Sequence, residues 1–354
     1  MKIVKTQNSR LMTTNFSKLP FGRVFSDHMF ICHYKDGGWL VPEIKPYGPI
    51  KMFPGTHVLH YGQSIFEGMK AFKNDNNEIL FFRKEENFKR LNESAIRLSI
   101  PEIPEDIFMN GLTELLKLDS EWCKSDDGYS LYIRPFIFAS SEWIKASSAD
   151  EFTFMIITSP TMNYYPASID LVIEQHFSRA TRGGVGYAKA AGNYAGSFYP
   201  TKIANSKGFT QVIWTDSKEH KYIEESGTMN IWFRIQNKLI TPSLSDSILG
   251  GITRDSILKI AIDLEIEVEE RNVTVEEILE ASKNDILQEV FGTGTAVTVV
   301  SVKSITLDDL RMDIPIQNNL LSMRLKKKIQ DIQYGRAEDI FNWTTKLNSS
   351  VSIL

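Results

Sequence analysis

The chain has 354 residues, of which 42% are hydrophobic and 24% charged, a balance typical of globular proteins and a length sufficient for two domains. A net charge of −4 argues against partners such as nucleic acid or an anionic membrane. Cys32 and Cys123 lack metal-ligand spacing and indicate a reducing compartment. No apolar run approaches the roughly 18–20 residues of a membrane span, so we expect a cytoplasmic protein.

The N-terminal segment 1–26 contains no acidic residue but carries several basic ones. A mitochondrial transit peptide has this charge pattern, although it is usually longer and richer in Arg and Ser. We prefer a basic N-terminal tail over 1–20, which leaves the mitochondrial matrix as the second location.

Short apolar runs alternate with helical patterns along the chain, which predicts a mixed α/β fold. In the first half, aromatic and β-branched runs predict strands at 28–34, 78–82, 130–138 and 152–158. Amphipathic periodicity predicts helices at 85–98 and 105–116.

Pro160 and Pro166 then bracket polar and aromatic residues and break both periodicities. We therefore expect an interdomain loop at 160–168, between a small α/β domain at 21–159 and a large domain at 169–354. The same criteria predict strands in the second half at 170–174, 211–216, 222–224, 231–235 and 266–273. They predict helices at 194–206, 254–264, 275–282 and 316–334, the last ending at Gly335 as a C-terminal cap.

One lysine, Lys189, lies in the segment 183–194 (GGVGYAKAAGNY), whose other residues are uncharged and mostly small or apolar. Withdrawal from water lowers the pKa of an amine and makes it available for nucleophilic attack. The alternative is a lysine whose stem is covered while its amine reaches solvent, and the spacing alone leaves both open.

Two carboxylates, Glu224 and Glu225, end a predicted strand before a Ser-Gly-Thr turn. They either form a solvated strand end or supply one buried carboxylate to a cationic partner such as a protonated ring nitrogen.

Two glycine-rich segments could bind anions. The pair Gly250 and Gly251 precedes a predicted helix, whose first N–H groups suit a phosphate. Alternating Gly and Thr at 292–295 offer backbone and hydroxyl donors. Each segment could equally be a plain turn.

Arg83 closes an apolar strand and Arg134 lies inside another. Each guanidinium could clamp a phosphate or carboxylate, or could simply reach solvent. Together the segments supply an amine, a carboxylate, two anion cradles and two guanidinium groups, a set that suits a phosphorylated aldehyde cofactor with a carboxylate substrate. Clustered His ligands, Gly-x-Ser-x-Gly and Gly-x-Gly-x-x-Gly are lacking, so metal, serine-hydrolase and dinucleotide chemistry have no support.

The order of these motifs resembles that of branched-chain-amino-acid aminotransferases, which are fold-type IV pyridoxal phosphate enzymes. The resemblance extends from Phe21 to Trp343 and is carried by the segments 21–22, 26–29, 60–72, 82–83, 184–194, 225–230, 251–255 and 291–296. It implies a homodimer with a smaller N-terminal α/β domain and a larger C-terminal domain containing a pseudo-barrel of strands. Val297 and Val300 stand where some relatives carry a Cys-x-x-Cys pair, so no thiol switch is expected.

The resemblance also implies roles for the matched residues. Lys189 would bind pyridoxal 5'-phosphate covalently and shuttle the proton, Glu225 would pair with the ring nitrogen, and Tyr194 would hydrogen-bond the ring hydroxyl. Those expected at the phosphate are Arg83, Ile252, Thr253 and Thr293. Those expected at the substrate are Phe21, Tyr61, Phe66, Tyr132, Arg134, Tyr164 and Thr228, with the backbone of Thr295 and Ala296 at its carboxylate; no metal is expected.

The implied reaction moves the amino group of L-leucine, L-isoleucine or L-valine to 2-oxoglutarate by a ping-pong mechanism. Two rival interpretations stay open at this point. One is another fold-type IV enzyme, a D-amino-acid aminotransferase or an aminodeoxychorismate lyase, whose chains are typically shorter and lack the stretch 21–72. The other is a non-catalytic protein that binds the cofactor or a phosphate but has lost the chemistry.

Overall fold

A computed structural model describes residues 1–162, 168–315 and 319–347. Two compact units divide them: the first comprises 1–162, 188–192 and 331–347, and the second comprises 168–187, 193–315 and 319–330. The expected interdomain loop at 160–168 includes 163–167, which lie outside the described residues. In the described part of the chain, every helix is too short or too polar to cross a membrane.

Twenty strands and seven helices are numbered in chain order within the described residues. The strands are β1 Lys2–Ile3, β2 His28–Lys35, β3 Gly38–Trp39, β4 Glu43–Pro46, β5 Ser64–Phe66, β6 Met69–Lys73, β7 Ile79–Phe82, β8 Ser130–Ala139, β9 Phe152–Thr161, β10 Ser168–Ile173, β11 Gln211–Thr215, β12 Tyr222–Ser226, β13 Asn230–Ile235, β14 Lys238–Thr241, β15 Val268–Glu270, β16 Val273–Thr274, β17 Leu287–Gly294, β18 Thr298–Leu307, β19 Leu310–Asp313 and β20 Thr344–Lys346. The helices are α1 Val58–Tyr61, α2 Lys84–Arg97, α3 Glu105–Leu118, α4 Ala191–Ser206, α5 Ile252–Asp263, α6 Val275–Lys283 and α7 Leu321–Gln333.

The first unit is built on a sheet in the order β1-β4-β2-β9-β8-β6-β7-β20, with β3 on β2 and β5 on β8. Its long strands β8 and β9 are rich in Ile and Phe and are buried on both faces, because apolar side chains cover each face of the pleat. Helix α3 packs on β2 so closely that a Cβ on Gly111 would lie 2.6 Å from the ring of Phe30. Glycine is therefore needed at this crossing.

The second unit is built on a sheet in the order β15-β14-β13-β17-β18-β10-β11-β12-β16, with β19 on β18. Antiparallel pairing of β13 with β17 places Asn230 opposite Thr293. The turn that leads into β13 and the turn that follows β17 therefore lie side by side, at the same end of these two neighbouring strands. Both turns carry predicted site residues.

Most predicted elements are present with shifted ends, but one prediction is wrong. The single strand expected at 266–273 is two short strands, because β15 pairs with β14 while β16 pairs with β12. Helix α4 begins at Ala191, ahead of the expected 194, and contains Pro200. The helix expected at 316–334 is α7, and 316–318 lie outside the described residues. The cap at Gly335 is confirmed by its φ of +66°.

Candidate active site

In the first unit, the predicted nucleophile Lys189 is half-buried and its peptide is held at both ends. Its N–H donates to Ser94 Oγ at 2.9 Å, and its carbonyl accepts the N–H of Phe66 at 3.1 Å. Ala190 forms a β-bridge with Ile65. The amine lies 4.9 Å from the centre of the Phe66 ring, so an aromatic face forms one wall beside it.

Further predicted residues lie around the same ring. The guanidinium carbon of Arg134 lies 4.4 Å from the Phe66 ring centre, and its Nη2 donates to the Tyr132 hydroxyl at 2.7 Å. Tyr132 and Arg134 share a sheet face because they are two residues apart on β8. Phe21 packs edge-on against Tyr132, with ring centres 5.0 Å apart. The structure thus collects Lys189, Phe66, Tyr132, Arg134 and Phe21 into one group.

A glycine makes this group possible. A Cβ on Gly68 would lie 2.4 Å from the Tyr132 hydroxyl oxygen, a distance at which the tyrosine would have to move. The sequence therefore needs Gly at position 68 for Tyr132 to occupy its place beside Arg134.

The other predicted residues of the first unit have different partners. Tyr61 lies on the short helix α1, is 44% exposed, and donates its hydroxyl to the carbonyl of Ile144 at 2.6 Å. Arg83 is buried at the start of α2 with φ +52°, a left-handed conformation that is strained for a non-glycine residue. Its guanidinium carbon lies 5.1 Å from the ring centre of Trp343. Tyr164 lies outside the described residues.

In the second unit, the predicted carboxylate Glu225 is buried on β12 with both oxygens engaged. Its Oε2 lies 2.7 Å from Arg179 Nε, and its Oε1 accepts the N–H of Leu249 at 3.0 Å and Asn230 Nδ2 at 3.3 Å. The ion pair with Arg179 and the two N–H donors hold the carboxylate in one orientation.

Arg179 and Asn230 were not among the predicted site residues. Arg179 is one of two arginines in a short polar stretch before the glycines, and nothing in the sequence separates it from Arg182. Asn230 follows the Ser-Gly-Thr turn, and its position at the start of β13 could have indicated a partner for Glu225.

Glu224 is buried as well, in different surroundings. Its Oε1 accepts the hydroxyl of Ser247. Burial raises the pKa of Glu224, and the Ser247 hydrogen bond and the charge of Arg179 only partly oppose this shift. The sequence could not tell the two carboxylates apart, whereas the structure gives the ion pair with Arg179 to Glu225.

The predicted phosphate cradle begins at α5, which starts at Ile252 after Gly251. Gly251 supplies no side-chain cap to this helix, so an anion could be bound by its first N–H groups, including that of buried Thr253. A Cβ on Gly251 would lie 2.0 Å from Asn230 Oδ1. Since the Asn230 amide also supports Glu225, the glycine connects the helix start with the carboxylate.

The remaining predicted residues of the second unit lie on the two turns and on α4. Thr293 is buried opposite Asn230, and its hydroxyl accepts the Trp232 indole N–H at 3.0 Å. Thr295 and Ala296 are half-buried between β17 and β18. Thr228 is exposed, and its carbonyl would lie 3.8 Å from a Cβ on Gly294. Tyr194 is half-buried on α4.

These residues fit a phosphorylated aldehyde cofactor. A lysine is held beside apolar and aromatic groups in the first unit, and a buried, arginine-paired carboxylate accompanies a glycine-started helix in the second. The hydroxyl of Ser226, next to Glu225, is buried without a hydrogen-bond partner among the described residues, so it could serve a bound polar group. An amine, a paired carboxylate and a glycine-started helix are groups that pyridoxal phosphate would need, so the donor set is compatible with the class of sites that bind this cofactor.

Comparison with known proteins gives the family. Residues 64–305 match the family model described as amino-transferase class IV. The chain is 43% identical over 339 residues to branched-chain-amino-acid aminotransferase 2 of Bacillus subtilis, covering 94% of this chain and 93% of the relative. The chain therefore belongs to the class IV amino-transferases and, within them, to the branched-chain-amino-acid aminotransferases.

Solved structures confirm the fold class and the cofactor. The branched-chain amino acid aminotransferase of Escherichia coli superposes with a TM-score of 0.73 at 25% identity, covering 91% of this chain and 99% of that chain. The T.th. enzyme of the same name, complexed with N-(5'-phosphopyridoxyl)-L-glutamate, gives a TM-score of 0.72 at 26% identity, covering 90% and 98%. The protein is a mixed α/β fold-type IV enzyme that uses pyridoxal 5'-phosphate.

Proposed function

We propose that this aminotransferase transfers the amino group of L-leucine, L-isoleucine or L-valine to 2-oxoglutarate, giving the branched 2-oxo acid and L-glutamate in two half-reactions. One observation carries the proposal: the Lys189 amine and the Arg134 guanidinium both lie against the ring of Phe66. The aromatic wall suits a branched aliphatic side chain. The arginine suits the side-chain carboxylate of glutamate, so one slot can serve both half-reactions.

Lys189 provides the nucleophile and moves the proton. When bound, pyridoxal 5'-phosphate supplies an aldehyde that carries the amino group and a ring that accepts electrons. Lys189 would hold the cofactor through its side-chain amine. As a free amine, it would act as the general base toward the substrate Cα proton and would carry that proton.

Glu225 keeps a proton on the ring nitrogen. Arg179, Asn230 and the Leu249 N–H hold the carboxylate in one orientation, and an ionised carboxylate in that place would stabilise a protonated ring. Tyr194 hydrogen-bonds the ring hydroxyl.

Anion-binding groups orient the phosphate and the substrate. Arg83, Thr293 and the backbone N–H groups of Ile252 and Thr253 bind the phosphate. The N–H groups of Thr295 and Ala296 bind the substrate carboxylate. Phe21, Tyr61, Phe66, Tyr132 and Arg134 of the first unit line the side-chain slot, whereas substrate roles for Tyr164 and Thr228 stay predictions from the resemblance.

We propose that the enzyme is a cytoplasmic homodimer. Large apolar side chains are exposed together around α1 in the first unit, among them Phe53, Leu59 and Ile144, and an exposed apolar patch favours association with a second copy. Light scattering on the purified chain tests this, because a mass of one chain at micromolar concentration would contradict it. The relative of 43% identity is bacterial, which supports the cytoplasm over the mitochondrial matrix.

An amino-donor panel of L and D isomers with 2-oxoglutarate tests the reaction. Because the slot separates one methylene by only about 1–3 kcal/mol, we expect L-leucine, L-isoleucine and L-valine to react at rates within about 200-fold. Preference for a D isomer would contradict the proposal. In Arg134→Met, KM should rise more for 2-oxoglutarate than for L-leucine, and equal rises would remove the proposed role of Arg134.

A further inference from the structure

Glu67 is a completely buried carboxylate in the 60–72 motif, and the reaction as proposed gives it no task. Its side chain is 0% exposed. Arg90 binds it through two parallel contacts, Nε to Oε1 at 2.7 Å and Nη2 to Oε2 at 2.9 Å. Asn87 Nδ2 donates to Oε2 at 2.7 Å, and the N–H of Gly68 donates to the same oxygen at 3.1 Å.

This cluster joins the two elements that hold the peptide of Lys189. On α2, Ser94 Oγ receives the Lys189 N–H and donates to the carbonyl of Arg90, both at 2.9 Å. On β5, the N–H of Phe66 donates to the Lys189 carbonyl. Phe66 is the neighbour of Glu67, and Arg90 is one turn before Ser94. The Glu67–Arg90 pair therefore links helix α2, which accepts the N–H of Lys189, to the end of strand β5, which donates to the carbonyl of Lys189.

The sequence of α2 places three polar residues where they can form this cluster. Asn87, Arg90 and Ser94 are spaced i, i+3 and i+7, so they lie on one face of the helix. All three are buried. A polar stripe is expensive to bury unless each member is paired, and here Glu67 or the Lys189 peptide supplies a partner for each.

The charge of Lys189 also acts on the Glu67 carboxylate. Burial alone would raise the pKa of Glu67, but the charge and hydrogen bonds of Arg90, followed by the charge of Lys189 and the Asn87 hydrogen bond, hold that pKa below its usual value. Other cations of the first unit face the same region: Arg134 lies against the Phe66 ring, and Lys70 is paired with Tyr132 across the sheet.

We propose that Glu67 is a positioning residue for Lys189: through Arg90 and Phe66 it fixes the lysine peptide, and its charge balances Arg90 so that the amine meets no unpaired cation. The inference rests on the proposed role of Lys189. A purely structural Glu67 would affect stability and leave the proton affinity of the lysine unchanged. The two cases differ in a measurable way.

The test is a pH titration of the visible absorption of the cofactor-loaded enzyme. In Glu67→Gln, the positive charge of Arg90 is no longer offset by the Glu67 carboxylate and disfavours a proton on the Lys189 nitrogen, so the midpoint should fall by about 1 pH unit. The double variant Glu67→Gln/Arg90→Met restores neutrality and should return near the wild-type midpoint. Arg90→Lys keeps the charge and should also stay near wild type.

A second readout avoids the cofactor. In the cofactor-free full chain, the pH at which Lys189 is half-labelled by a pulse of acetic anhydride should fall in Glu67→Gln by a similar amount. Glu289→Gln is the matched control, because it breaks another buried pair, with Arg234 at 2.9 Å, in the second unit. It should move neither midpoint.

An unchanged midpoint in Glu67→Gln, or an equal shift in the double variant, would overturn the inference. If Glu67→Gln alone does not fold, Arg90→Met replaces it: the unpaired carboxylate should raise the midpoint, and no shift relative to the double variant would be contrary. Borohydride trapping distinguishes a failure of the proposed role of Lys189 from a failure of the proposed role of Glu67. A cofactor found on another lysine defeats the proposed role of Lys189, whereas trapping on Lys189 with unmoved midpoints defeats only the role of Glu67.

Discussion

Each unit contains a buried glutamate that is paired with an arginine and lies among the predicted site residues, and these two pairs are built differently. Glu67 is met by a two-point contact from Arg90, with an amide and a backbone N–H completing its shell. Arg179 Nε contacts one oxygen of Glu225, and the other oxygen is held by Leu249 and Asn230. The hydroxyl of the neighbouring Ser226 is buried without a partner among the described residues.

The comparison indicates that a buried ion pair can serve structure or chemistry, depending on what its elements carry. The Glu67 pair joins β5 to α2 and so fixes the main chain around a reactive amine. The Glu225 pair lies at a strand end near a turn and a helix start, and the proposed function assigns its carboxylate to the cofactor. We expect loss of the first pair to appear mainly in stability and proton affinity. Loss of the second should appear mainly in turnover.

The largest effect is expected at the residue that the first pair positions. Lys189→Ala should lower kcat by about 10⁴-fold or more, because it removes both nucleophile and proton carrier. Single-turnover absorption changes with L-leucine measure this. Lys202→Ala removes an exposed lysine of α4 and should react like wild type. Normal turnover by Lys189→Ala would refute the assignment.

Glu67→Gln should destabilise the protein by about 3–5 kcal/mol, since it leaves a buried guanidinium without its counter-charge. Urea unfolding monitored by tryptophan fluorescence gives this value. The control Glu78→Gln breaks an exposed pair with Lys346 and should change stability little. Similar losses of unfolding free energy in the two variants would mean that the buried pair contributes no more to stability than the exposed pair.

Glu225→Gln should spare most of the cofactor binding while lowering kcat on the order of 10²-fold or more, the usual result of removing one preorganised charge. Its neighbour provides the control: Glu224→Gln keeps the side-chain size and the Ser247 hydrogen bond, and its effect should be small. Equal kcat values for the two variants would erase the distinction drawn between the adjacent carboxylates.

Gly251→Ala should weaken cofactor binding by about 10-fold, because the added methyl displaces Asn230 from Glu225 at a cost of about 1–3 kcal/mol. A titration of the apoenzyme with pyridoxal 5'-phosphate measures the change in Kd. In Gly250→Ala the new methyl would meet only Leu244 at 3.7 Å, so its Kd should match wild type. The account of the helix start is wrong if both variants bind alike.

The smallest effect concerns a carboxylate outside both pairs. Burial alone would raise the pKa of Asp27, but the Arg10 backbone N–H, the Ser9 hydroxyl and the Trp122 indole together lower it. A lowered folded-state pKa gives stability that is present above the unfolded value and lost as pH falls. Asp27→Asn should therefore cost about 1 kcal/mol at pH 7. The difference should shrink as pH falls below the unfolded value of 3.8 and vanish below the lowered folded-state pKa, and a gap that widens on acidification would contradict this.

Local patterns predicted much of this molecule. Apolar runs located β2, β8 and β9, and composition singled out the lysine at 189. The ends of elements were less predictable where pairing decides them: the run at 266–273 looks continuous, yet it divides because its two parts pair with different strands.

Pairings across the chain could not be predicted. Arg179 and Glu225 are 46 residues apart, and Glu67 and Arg90 are 23 apart, so their contacts depend on how whole strands and helices pack. The spacing of Asn87, Arg90 and Ser94 was a usable signal, because three polar residues on one helix face suggest buried partners. Nothing in the local pattern indicated that 188–192 joins the first unit while the glycines before it belong to the second.

The most direct test of the central claim is to reduce the cofactor-loaded enzyme with borohydride and map the modified peptide by mass spectrometry. The account predicts that the pyridoxyl group is found on Lys189, in the peptide that contains Tyr187 and Ala190. A pyridoxyl group on any other lysine, with Lys189 unmodified, would contradict it.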